Sequence, residues 1–107
     1  MQLANILLVG RSPIQDIIAY RLQNGDHNAG YEPRGVDLPG YAGTVIIDAD
    51  YCSGERMTKA VGRGFSRNVV VIYSNKSNIP IGLQANPSVS LLEKPFSLHD
   101  LEDRLFP

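Results

Sequence analysis

Four short runs dominated by apolar and β-branched residues set the strongest constraint on this chain: Ile6-Leu7-Leu8-Val9, Thr44-Val45-Ile46-Ile47, Val69-Val70-Val71-Ile72-Tyr73 and Ser90-Leu91-Leu92. A strand wetted on one face alternates apolar with polar residues. An unbroken apolar run of this length belongs instead to a strand buried on both faces, as in a parallel sheet covered by helices on two sides.

The segments between these runs carry helix signals. Ser12 reads as an N-cap with Pro13 at the first helical position and Gln15 placed to complete a capping box, and Gly25 is a natural stop. Ile14, Ile17, Ile18 and Leu22 recur at helical spacing, which predicts one buried face. Ser53 caps a second segment running to about residue 63, with Met57, Ala60 and Val61 inward, and Ser97 caps a last one, with Leu98, Leu101 and Leu105 inward. Strands alternating with helices predict an α/β domain: a doubly wound, mostly parallel five-stranded sheet with helices on both faces, forming a single domain over residues 1–107. Residues 26–43 are interrupted by Gly, Asn, Pro33 and Pro39, leaving room for a short edge strand near residues 34–38 but not for a full helix. Residues 75–87 contain Pro80, Gly82 and Pro87, and proline and glycine cost about 3 and 1 kcal/mol in a helix interior, so a regular helix is not expected there either.

Composition removes several classes of function. Ten basic and eleven acidic residues are mixed along the chain, for a formal charge of −1, so there is no electrostatic footprint for nucleic acid or an anionic membrane. The single Cys52 makes no intrachain disulfide, and it reads as a packing residue of a cytoplasmic protein. The apolar run Leu3–Val9 is too short to span a bilayer and lacks a small-residue cleavage pattern. His27 and His99 have no second ligand at useful spacing and are read as solvent-facing, while Gly62 and Gly64 lack the strand-turn-helix context of a phosphate loop.

In an open parallel sheet, chemistry gathers outside the carboxyl ends of the strands, where strand order reverses. The runs above end in Gly10, Arg11 and Ser12, in Asp48, in Ser74 and in Lys94. A carboxylate, a hydroxyl and an ammonium drawn from separate strands suit aspartyl-phosphate chemistry, in which the carboxylate attacks a phosphoryl group and the other two neutralise its oxygens. Taken singly, each has a plainer explanation, because strand ends are polar where they meet water.

Over nearly its whole length the chain resembles the response-regulator receiver domain. The likeness rests on Ile6-Leu7-Leu8-Val9 before a polar turn, Val45-Ile46-Ile47-Asp48, Val70-Val71-Ile72-Tyr73-Ser74, and above all Leu92-Glu93-Lys94-Pro95-Phe96 with Leu101 beyond. It implies Asp48 as phosphoryl acceptor, Ser74 as switch hydroxyl, Lys94 as the partner lysine with a cis bond to Pro95, and a magnesium ion at Asp48. Second and fourth helical regions shorter than a receiver's are expected, and the shortened fourth implies an altered partner or dimer surface.

The departures are as specific as the matches. Receivers carry two acidic residues after the first strand that join the acceptor aspartate in holding magnesium, and here Gly10 and Arg11 stand in those places. Magnesium takes oxygen ligands, so metal-dependent phosphorylation of Asp48 loses its usual support. Two readings of Arg11 are open: a guanidinium in the vacated metal position, paired with Asp48 or Asp50, or a solvated loop arginine. The switch aromatic of receivers corresponds to Leu91, and Tyr73 is read as a packed strand residue.

The expected function is that of a non-enzymatic signalling receiver in a two-component phosphorelay, accepting or mimicking phosphorylation at Asp48. With no output domain after Pro107, it would act through a histidine kinase, a phosphotransfer protein or a downstream target, with a homodimer left open. The alternative is a phosphorylation-independent interaction or dimerisation module that keeps only the fold. A flavin or nucleotide carrier is disfavoured by the lack of a glycine- or hydroxyl-rich loop after the first strand.

Overall fold

The computed structural model of the chain describes residues 5–31, 43–62 and 68–106. Five strands, β1 (Asn5–Val9), β2 (Asn28–Tyr31), β3 (Thr44–Asp48), β4 (Asn68–Tyr73) and β5 (Val89–Glu93), form one sheet in the order β2-β1-β3-β4-β5. Every pairing is parallel. Four α-helices are found among the described residues: α1 (Pro13–Asn24), α2 (Gly54–Gly62), α3 (Ile81–Gln84) and α4 (Leu98–Leu105). This all-parallel α/β sheet is consistent with a flavodoxin-like fold.

Alternation along the strands divides the core in two. Leu7, Val9, Val45, Ile47, Val69 and Val71 face α2, α3 and the segment leading into α3, where they meet Met57, Ala60, Ile79 and Leu83. Ile6, Leu8, Ile46, Val70, Ile72 and Leu92 face α1 and α4, where they meet Ile18, Leu22, Leu101 and Leu105. β3 is buried along its whole length, which is why its sequence reads as a continuous apolar run. Fully burying each such side chain contributes about 1.5–3 kcal/mol, so these two layers dominate the stability.

Local signals act largely as expected. Ser12 caps α1, accepting the Gln15 backbone N–H at 3.2 Å, Pro13 lies at its first position, and Gly25 ends it. Ser53 accepts the Arg56 N–H at 3.2 Å, and Ser97 forms a reciprocal capping box with Asp100. The bond from Lys94 to Pro95 is cis.

Three details differ. Gln15 completes no capping box, because its side chain is wholly buried and its Nε2 donates to the Val9 and Ile46 carbonyls at 3.2 and 3.0 Å. Ile17 is 58% exposed, while Ile18 and Leu22 are buried and Ile14 and Ala19 pack partly against the same layer. The second strand is Asn28–Tyr31, upstream of the position expected for it, while residues 34–38 and most of the segment assigned to a shortened second helix lie outside the described residues. Between β4 and β5 the helical content falls to a 3-10 turn, Lys76–Asn78, and the single turn of α3, as the prolines and glycine there require.

Candidate functional site

The strand order reverses between β1 and β3, and the carboxyl ends of these two strands bring Ser12 and Asp48 together. The turn leaving β1 depends on Gly10, whose φ of +86° lies in the region side chains avoid. A Cβ there would come within 2.8 Å of the Asp48 carbonyl oxygen. The missing side chain lets the β1–α1 turn lie directly against the end of β3.

Asp48 is completely buried. Its Oδ2 accepts Ser12 Oγ at 2.6 Å and Lys94 Nζ at 2.8 Å, and its Oδ1 accepts Lys94 Nζ at 2.8 Å and the Asp50 N–H at 3.1 Å. A carboxylate offers about four acceptor sites, and here four hydrogen bonds from three donor groups fill them. Lys94, brought in by the turn after β5, also donates to Asp50 Oδ2 at 3.0 Å, so its three N–H donors are spent on two carboxylates. The face of Tyr51 lies 5.5 Å from the ammonium, adding a cation–π contact on the solvent side.

Asp50 closes the outer part of the site. Its Oδ2 accepts the Ser74 backbone N–H at 2.8 Å and its Oδ1 accepts Asn78 Nδ2 at 3.0 Å. Burial alone would raise its pKa, but hydrogen bonds from Lys94, Ser74 and Asn78 overcome that and bring it down to about 2. Burial likewise works against the charged Lys94, and the two carboxylates more than compensate, raising its pKa above the ordinary value.

The structure thus brings Asp48 and Lys94 into direct contact, and links Ser74 to them through Asp50. Arg11 goes elsewhere: its Nε lies 3.4 Å from Asp16 Oδ1 and its guanidinium sits 5.0 Å over the Tyr31 ring, so it does not occupy the position between Asp48 and Asp50. Tyr31 donates to Asp16 at 2.5 Å, and burial, this hydrogen bond and the Asp16 charge push its pKa up to about 12. His99 is exposed beside Asp103, and His27 stacks on Phe106.

Sequence reading missed the second role of Ser12, the central place of Asp50, and Asn78 altogether. A capping serine directly after a strand that faces an acidic strand end was the available signal for the first. Asn78 lies in an irregular segment where nothing in the sequence marks a partner.

The donor set does not suit magnesium. Asp48 has its oxygens saturated by protein donors, Asp50 is taken up by Lys94, Ser74 and Asn78, Gly10 supplies no ligand, and Arg11 is turned away. No group of three or more His, Cys, Asp or Glu side chains that could hold a metal occurs among the described residues, and no helix among them is long and apolar enough to cross a membrane. Comparison with known proteins gives no significant match to a family model, a curated protein or a solved structure.

Proposed function

We propose that this chain is a receiver-like signalling module that works by binding a protein partner without phosphorylation of Asp48. One observation carries the reading: Asp48 has no exposed surface, and every lone-pair direction of its carboxylate is engaged. An aspartate that accepts a phosphoryl group must present an oxygen to the donor, and presenting one here means breaking a buried, charge-assisted hydrogen bond. The partner belongs to the classes that receivers address, a histidine kinase, a phosphotransfer protein or a downstream target.

A second reading, phosphoryl acceptance at Asp48, is favoured by Lys94 lying 2.8 Å from both its oxygens, where an ammonium would stabilise an acyl phosphate. Intact-mass analysis after treatment with acetyl phosphate and magnesium separates the two. The expected result is no phosphoryl-sized increment on the native chain; an increment that disappears in Asp48→Asn overturns the proposal. In cells, cross-linking is expected to recover the same partner with the native chain and with Asp48→Asn.

A further inference from the structure

The site contains two carboxylates at the edge of a sheet, an arrangement that calls for a cation, and the cation is already part of the chain. Lys94 Nζ touches Asp48 Oδ1 and Oδ2 at 2.8 Å each and Asp50 Oδ2 at 3.0 Å, with the lysine and Asp50 side chains 15% and 16% exposed and Asp48 wholly enclosed. We infer that the Lys94 ammonium is the resident counter-ion of this site, taking the place a divalent metal would hold, and that the turn after β1 is shaped so that a metal ligand cannot be restored there.

Two independent observations support this. First, one ammonium satisfies both carboxylates with three donors, while Ser12 Oγ and the Asp50 N–H fill what remains of Asp48. A magnesium ion entering between the carboxylates would have to shed tightly held water and expel the ammonium, with only the oxygens of Asp48 and Asp50 to replace that water. Second, the closure is conformational as well as chemical. Gly10 has a positive φ and its absent Cβ would meet the Asp48 backbone oxygen at 2.8 Å, so an acidic side chain at residue 10 requires the turn itself to move. Residue 11 already points toward Asp16 and Tyr31.

The inference is independent of the partner-binding reading, because cation binding and phosphoryl adduct formation are separate events with separate readouts. The test is an amide-NMR titration with magnesium chloride, run beside melting curves in EDTA and in magnesium. The native chain is expected to show no saturating shifts at Asp48, Asp50 or Ser74 and the same melting temperature in both buffers. The double variant Gly10→Asp, Arg11→Asp is expected to remain without saturable binding and to melt earlier than the native chain. Lys94→Met, which removes the internal cation and keeps the apolar stem, is expected to melt earlier in EDTA and to regain part of the loss in magnesium. Saturable magnesium shifts centred on Asp48 and Asp50 in the native chain overturn the inference, as does gain of magnesium binding by the double variant with Lys94 intact. Should Lys94→Met fail to fold, the native titration and the double variant still decide.

Discussion

Adjacent residues at the end of β1 lead into two polar clusters that are alike in chemistry and opposite in setting. Arg11 joins Asp16 and Tyr31 in a group whose arginine and aspartate side chains are 75% and 51% exposed. Ser12 joins Asp48 and Lys94 in a group with almost no access to water. In each, a carboxylate faces a cation and a hydroxyl. The wet cluster has solvent as an alternative partner for every member, so losing one contact costs little. In the dry cluster Asp48 has none, and losing its partner strands that charge in a poorly polarisable interior. The lesson is that the count of ion pairs says little about what holds this edge together, and their burial says a great deal.

The largest effect that could break this contrast comes from Lys94→Met, which leaves Asp48 enclosed without a counter-charge. It is expected to cost about 3–5 kcal/mol of unfolding free energy in urea titration, and a loss below about 1 kcal/mol would place the buried cluster in the same energetic class as the exposed one. Ser12→Ala removes both the cap of α1 and a hydrogen bond to a buried carboxylate. A loss of about 2–3 kcal/mol is expected by the same measurement, with Ser12→Thr, which keeps the hydroxyl, recovering most of it.

Acid titration sharpens the comparison further. Asp50 is held near a pKa of about 2 against an ordinary 3.8, so its contribution to stability is present above about pH 4 and is lost as the pH falls through 2. Asp50→Asn is therefore expected to flatten the acid limb of the stability profile between these values. A limb unchanged by the substitution would mean that Lys94 and Asn78 serve the neutral side chain equally well.

The exposed cluster supplies the smallest effects. Arg11→Ala is expected to change stability by less than about 1 kcal/mol. Tyr31 keeps its proton to about pH 12, so its contribution is present below about pH 10 and fades as the pH rises toward 12. Tyr31→Phe is expected to remove the component of the phenolate absorbance titration centred there, with little change in folding at neutral pH.

Much of the fold was legible because its signals are local. The apolar runs ending at Val9, Ile47, Tyr73 and Leu92 are β1, β3, β4 and β5 to within a residue or two, and Ser12, Ser53 and Ser97 cap the helices that follow. Asn28–Tyr31 was not singled out as β2 because it is a four-residue edge strand carrying no apolar run, and its pairing to Asn5–Leu8 is a long-range choice. Gln15 was misread for a related reason. At the third helical position it meets the pattern of a capping box, but two strand carbonyls within reach of its amide won the side chain.

The candidate site divides in the same way. Asp48 and Lys94 could be singled out because the alternation of elements fixes which strand ends share an edge, and that alternation is written in the residue pattern. Sequence also determined that no carboxylate follows β1 directly, since Gly10 and Arg11 are simply the residues present. Only the tertiary structure decided where Arg11 turns, that Ser12 reaches back to Asp48, that Asp50 rather than Asp48 receives Ser74, and that one ammonium serves two carboxylates. Those outcomes turn on differences of an ångström or two in how strand ends and turns approach, and a hydrogen bond or ion pair in a buried site is won or lost over that distance. Residue type states what a side chain is able to do; its burial and neighbours select which of those things it does.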